Sequence, residues 1–308
     1  MVACARSPAI VPELSAQDTH AAALGHSVVA CLIDEARLSP KPGLVDRRGS
    51  GAHDDRSFTL MSRSAHSLGP AFMAMARAGQ RANAPSVAPR ETLARIGREA
   101  EATMMAATGG VNTHRGAIWA LGLLVAAAAI EPGNTGAAQT ASIAATIAAH
   151  PDRFGPSRTG HKGEQACLRF KVGGARGQAQ AGFPHVIELG LPELKRSRAR
   201  GDGETSPRLN ALLAIMSRLD DTCVLSRGGL TALKQLQEAA GAALAAGGAG
   251  TVLGRRALRQ LDADVLASKL SPGGAADLLT ATLFLDRIDD LYESRRSHRP
   301  SRRFHGEV

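Results

Sequence analysis

The sequence predicts an all-α fold, and three observations carry that expectation. Apolar residues recur at helical spacing through long runs of Ala, Leu, Gly and Ile. Aromatic residues, which favour strands, number only one Trp, one Tyr and seven Phe among 308 residues. Gly- and Pro-rich polar blocks punctuate the apolar runs, as turns between helices do. At 44% hydrophobic the chain has enough apolar material for one big domain or two tightly joined ones, and we expect a single large multi-helix domain whose polar loops converge on one site.

Residues 1–15 read as a loose arm. A first helix over 17–38 places Ala23, Val28, Leu32 and Ile33 at helical spacing and is stopped by Pro40 and Pro42. A second is expected over 57–81, then a Pro-containing connector over 83–89 and a third helix over 91–107. The loop at 108–113 feeds the apolar run 117–130, too short to span a bilayer and therefore a buried central helix. Another helix spans 134–150. The stretch 151–184 is Gly-rich and irregular, with one short helix around 164–171. Further helices are expected at 207–219, 230–246, 257–269 and 275–293, with a surface turn at 201–207 and a helix-breaking linker at 245–250. From 294 the chain is basic, includes RRSHRPSRR, and reads as a solvated, disordered tail. The catalytic domain is thus 16–293, with no internal repeat.

A formal net charge of +9 points to an anionic partner. Few aromatics argue against single-stranded nucleic acid, which needs stacking platforms, and the cations sit in loops and tail rather than along one helix, so no nucleic acid is expected. No membrane partner is expected either, because the N-terminus lacks a charged-then-apolar signal pattern. Cys4, Cys31, Cys167 and Cys223 show no C-x-x-C spacing and suggest neither a zinc ribbon nor a disulfide framework, which fits a reducing cytoplasm. The oligomeric state stays open, a homodimer included.

Chemistry concentrates in the blocks. LSPKPGLVDRRGSGAHDD at 38–55 is too dense in turn formers and charges to serve as ordinary core. TGGVNTHRG at 108–116, GGARGQAQAGFP at 173–184, DDTCVLSRGG at 220–229 and SPGGAADLL at 271–279 repeat that mixture of flexible backbone with Asp, Asn, His or Arg. SPKPGLVDR with GAH-x-D, then TGGVNTHRG, GARG, GFP, DDT-x-V-x-x-RGG and SPGG-x-ADLL, in this order across 35–285, resemble the triphosphoribosyl-dephospho-CoA synthase family, which prepares the prosthetic-group precursor of malonate decarboxylase or citrate lyase. Three positions depart from the pattern: Arg115 stands where Lys is frequent, Cys223 where Asn is common and Arg56 where Met usually follows the Asp. Arg for Lys keeps the phosphate-binding charge, and Cys223 is given no role.

The resemblance implies transfer of the 5-triphosphoribosyl group of ATP to the 2′-hydroxyl of 3′-dephospho-CoA, with release of adenine. Displacing a base at an anomeric carbon passes through an oxocarbenium-like state and calls for a carboxylate or a base. Asp46, His53, Asp220 and Asp221 are the catalytic candidates, with Asp55 a further carboxylate. The triphosphate, with about four negative charges, calls for cations, backbone amides and Mg²⁺. Lys41, Arg47, Asn112, His114, Arg115, Arg176, Arg227 and Gly228 are the expected substrate-binding residues, and Glu35, Asp55, Asp220, Asp221 and Asp277 the expected metal ligands.

Plainer roles suit the same residues. Lys41 fits a surface turn, His53 a backbone-satisfied loop, and Asn112 with Thr113 a helix N-cap. Asp220 and Asp221 fit caps or partners of Arg218, Ser271 and Pro272 an ordinary helix start, and Asp277 a complement to a helix dipole. Met61, Met73, Met75, Met104 and Met105 read as core filler. Two rival functions share these features: a Mg²⁺-dependent N-ribosyl hydrolase with water as acceptor, and a basic helical nucleic-acid-binding module.

Overall fold

The structure, a computed structural model, describes residues 15–131, 135–156 and 158–297. Thirteen α-helices account for the described chain, with no strand among the described residues beyond an isolated bridge between Asp46 and Gly49. The architecture is all-α, as the periodicity predicts.

Helix α5 (Arg115–Ile130) is the axis of the molecule, with most of its residues buried. Around it pack α1 (Ala16–Arg37), α3 (Gly69–Gln80), α4 (Val87–Ala107), α6 (Ala137–Ala149) and α13 (Gly273–Ser297). Its small residues let neighbours approach closely. A Cβ on Gly79 of α3 would stand 2.2 Å from the Ala126 carbonyl oxygen, so only glycine permits that crossing. The second half adds α10 (Thr205–Met216), α11 (Thr222–Ala245) and α12 (Val252–Ala267), with α10 and α11 also packed on α13. One large apolar cluster runs from Ala21 to Ile288 through both halves, with a small separate one of Ala36, Val45 and Met61. Among the described residues, no helix is long and apolar enough to cross a membrane.

Several boundaries differ from expectation, each for a local reason. The helix expected over 57–81 is two, α2 (Phe58–Ser67) and α3, divided at Leu68 where Gly69-Pro70 begins a new first turn. Helix α4 starts at Val87 rather than 91, because Pro89 in a first turn gives up no hydrogen bond. The irregular stretch contains α7 (Lys162–Phe170) and also α8 (Gly174–Gln180). Beyond it, a π-helical turn (His185–Gly190) and α9 (Leu191–Ala199) occupy a segment with no clear apolar stripe in sequence. DDTCVLSRGG is not a loop: it is the start of α11, which breaks at Gly229 (φ 68°, ψ −164°) into two helices end to end. Helix α13 continues through Ser297, so residues 294–297, read as tail, are helical. The rest of the tail and the arm up to residue 14 lie outside the described residues.

Candidate active site

A narrow cleft of about 40 Å³ is lined by Glu35, Lys41, His53, Arg56, His114, Ser271 and Asp277, together with Leu44, Val45, Met61 and Thr280. It gathers the end of α1, the 38–55 loop, the start of α5 and the first turns of α13. A wider groove of about 970 Å³ between α3 and α4 is rich in alanine, carries Arg77, Arg81 and Arg95, and contains none of the site candidates.

Asp46 and Asp262 fold the loop onto the body. The Asp46 carboxylate accepts from the Lys41 N–H (3.0 Å), the Arg48 N–H (2.7 Å) and Arg48 Nε (2.9 Å). Asp262 on α12 accepts from the Gly43 N–H (3.2 Å) and Arg48 Nη1 (2.6 Å). Burial pushes the Asp46 pKa up, but the hydrogen bonds from Arg48 and Lys41 leave it below the usual value. Asp46 is therefore committed to shaping the loop and does not line the cleft. Gly43, at φ 65°, meets the Leu270 carbonyl so closely that a Cβ would stand 2.4 Å from its oxygen.

Lys41, expected to reach phosphate, is 1% exposed and ion-paired with the equally hidden Glu35. Burial raises the Glu35 pKa, with Lys41 opposing. This pairing occupies a carboxylate expected to hold metal.

The two histidines are held neutral. His53 Nε2 lies 2.8 Å from Ser271 Oγ and 3.5 Å from Arg56 Nη1. Burial, then the positive charges of Arg56 and Arg227, lower its pKa to about 4. His114 is buried, with Nδ1 2.8 Å from Ser64 Oγ, which also meets Thr113 Oγ1 at 2.6 Å. Its Nε2 is buried without a hydrogen-bond partner, and burial first, then Arg56 and Lys41, lower its pKa to about 3. His114 sits at the N-cap of α5, and the Asn112 side chain accepts from the Arg115 N–H (3.3 Å), so the capping role read for Asn112 is present.

The N-terminus of α5 faces Asp277 of α13. A Cβ on Gly116 would stand 2.0 Å from Asp277 Oδ2, so the carboxyl rests directly against the first turn of α5. Burial, then the nearby Glu35 and Asp221, push the Asp277 pKa well above the ordinary carboxyl value, against the pull of Arg56. This carboxyl can exchange a proton closer to neutrality than a surface aspartate.

Asp220 and Asp221 part company. Asp220 is exposed, while Asp221 is buried and caps two helices: Oδ1 accepts from the Cys223 and Val224 N–H groups (2.8 and 3.4 Å) and Oδ2 from the Ala275 N–H (2.9 Å). Among the cations, Arg115 turns to Glu101 (2.8 Å), Arg227 is exposed and donates to the Cys223 carbonyl (3.2 Å), and Arg47 and Arg176 are exposed. None of these four lines the cleft, nor does Gly228. Asp55 is exposed, 4.0 Å from His53 Nδ1.

Among the described residues, no group of three or more His, Cys, Asp or Glu side chains is placed to hold a metal ion. The five expected ligands do not fit a protein-held metal: Glu35 is paired with Lys41, Asp221 is spent on helix caps, Asp220 is exposed, and Asp55 and Asp277 remain. Arg56 is the residue that sequence reasoning passed over, although its place three residues after His53 put it within reach.

Residues 21–296 match the CitG family, ATP:dephospho-CoA triphosphoribosyl transferase. The chain belongs to this family. A 2-(5''-triphosphoribosyl)-3'-dephosphocoenzyme-A synthase of Klebsiella pneumoniae is 57% identical over 265 residues, covering 86% of this chain and 94% of that protein. Proteins of Pseudomonas fluorescens and Azotobacter vinelandii, each named as a probable enzyme of the same kind, are 58% identical over 266 residues and 55% over 263. These matches cover 86% and 85% of this chain and 91% and 90% of the relatives. The match to this transferase family takes in the cleft and every residue on its walls.

Proposed function

We propose that the cleft transfers the 5-triphosphoribosyl group of ATP to the 2′-hydroxyl of 3′-dephospho-CoA and releases adenine. Membership of the triphosphoribosyl transferase family makes the chain a transferase, and the observation that carries the assignment to this cleft is the meeting of Asp277 with the N-terminus of α5 beside the unpartnered Nε2 of His114. In the reaction the bond from C1 of the ribose to adenine N9 breaks and a bond to the 2′-oxygen forms. The hydroxyl proton must leave, and the departing adenine takes one up.

Asp277 suits the proton transfer, because its raised pKa narrows the gap between the carboxyl and a neutral-pH proton donor. As a carboxylate it also offers negative charge to an oxocarbenium-like ribose. His114 presents a neutral nitrogen, donor or acceptor according to the tautomer fixed through Ser64, in a pocket from which protein partners are absent. His53, tied to Ser271, links the loop to the entrance of α13.

Mg²⁺ belongs here with the nucleotide, as part of the triphosphate substrate, since magnesium bound through phosphates needs only one or two carboxylates. The three cysteines among the described residues, Cys31, Cys167 and Cys223, are free thiols, which supports a reducing cytoplasmic setting. The product serves an acyl carrier prosthetic group, of either malonate decarboxylase or citrate lyase.

Purified protein given ATP, Mg²⁺ and dephospho-CoA should release adenine in step with a product carrying the added triphosphoribosyl mass. Adenine release that persists without dephospho-CoA, with free triphosphoribose, would identify a hydrolase instead. Turnover unchanged in excess chelator would remove Mg²⁺ from the reading.

A further inference from the structure

We infer that Arg56 binds a phosphoryl group of one of the two substrates at the mouth of the cleft, an inference that rests on the transferase reading above. Arg56 lines the cleft, and its side chain is only 23% exposed. A guanidinium withdrawn from water to that extent normally holds a carboxylate in a two-pronged pair. Arg56 does not. Its Nε is buried without a hydrogen-bond partner, and the nearest carboxylate, Asp55 Oδ1, stays 3.8 Å away on a side chain that is 61% exposed. Nη1 reaches only His53 Nε2, at 3.5 Å, a nitrogen already engaged at 2.8 Å by Ser271.

Of the other cations nearby, Arg227 stands exposed off the cleft wall and donates to the Cys223 carbonyl, and the rest are paired with carboxylates. Lys41 is paired with Glu35, and Arg48 with Asp46 and Asp262. Arg56 is therefore the cation on the cleft wall whose fork of donors is still available. An Nε–H beside an Nη–H in one plane matches two oxygens of a phosphoryl group, and both substrates bring such groups: the triphosphate of ATP and the diphosphate of dephospho-CoA. Asp277 lines the same cleft and is not a hydrogen-bonded partner of Arg56, so it does not compete for the fork.

The test compares wild type with Arg56→Met, which keeps length and apolar volume but loses the fork, and Arg56→Lys, which keeps charge alone. KM for ATP and for dephospho-CoA would be measured separately, alongside thermal shifts induced by tripolyphosphate and by dephospho-CoA as probes that need no turnover. Arg56→Met should raise one KM by about ten- to a hundredfold, the loss of a charge-assisted pair of hydrogen bonds, with kcat within a few-fold. A rise for ATP with loss of the tripolyphosphate shift assigns the nucleotide. A rise for dephospho-CoA with loss of its shift assigns the acceptor. Arg56→Lys should fall between, and serves alone if the Met variant does not fold. Both KM values within twofold of wild type, with both thermal shifts retained, would overturn the inference. Failure of the wild type to release adenine would overturn the transferase reading instead, and the thermal shifts would still judge Arg56.

Discussion

The Asp221 carboxylate accepts the Ala275 N–H at 2.9 Å while its other oxygen caps α11, so one buried side chain fixes the start of α13 against the start of α11. Asp277 lies on that same first stretch of α13, and its position against α5 depends on this joint.

Asp221→Asn should therefore destabilise the fold. Its amide nitrogen cannot accept a backbone N–H, so one of the two caps is lost, at a cost of about 1–3 kcal/mol. Asp220→Asn, on an exposed side chain, should leave both melting temperature and kcat/KM within experimental scatter of wild type. Parallel thermal melts and kinetics decide it; equal losses in the two variants would restore the adjacent pair as one functional unit.

Lys41→Met should cost about 3–5 kcal/mol at pH 8, because it strands the buried Glu35. Glu35 has a raised pKa in the fold, so without Lys41 its penalty is absent where it is protonated and grows as pH rises through its folded pKa. The variant should accordingly lie closer to wild type at pH 5 than at pH 8, and Glu35→Leu added to Lys41→Met should recover part of the loss. Chemical denaturation at both pH values measures this, and a pH-independent loss would contradict it.

Asp277→Asn should reduce kcat by about 10²-fold or more, with KM changed little, if this carboxyl moves the proton. A carboxyl with a raised folded pKa costs stability as pH rises from its unfolded toward its folded value, so the variant should melt no lower than wild type at pH 8. Activity within a few-fold of wild type would remove Asp277 from the chemistry.

His53 and His114 set an acid limb. Both have lowered pKa values, about 4 and about 3, so the unfolded chain binds more protons than the fold below its ordinary histidine pKa near 6.5. Their contribution is complete above that value and is lost as pH falls toward the folded values, at up to about 1.4 kcal/mol per pH unit for each residue. His114→Gln should flatten the fall in melting temperature between pH 6.5 and 4.5 relative to wild type; an unchanged slope would show that His114 does not titrate on unfolding.

The sequence by itself determined the all-α class, the buried run that became α5, most helix spans and the motif blocks that mark the transferase family. Helix periodicity and Pro or Gly stops act over a few residues, so they are readable in order along the chain. Which charges meet was decided only in three dimensions. Nothing in the adjacency of Asp220 and Asp221 shows that one faces solvent and the other bridges α11 to α13. Lys41 between prolines resembles a surface turn, yet the turn carries it back onto Glu35. Asp277 and Gly116 lie far apart in the chain and touch because α13 packs against α5. The partner of a polar group, and with it the pKa, depends on which helices lie side by side, and side-by-side packing is fixed by the whole core rather than by any segment of it.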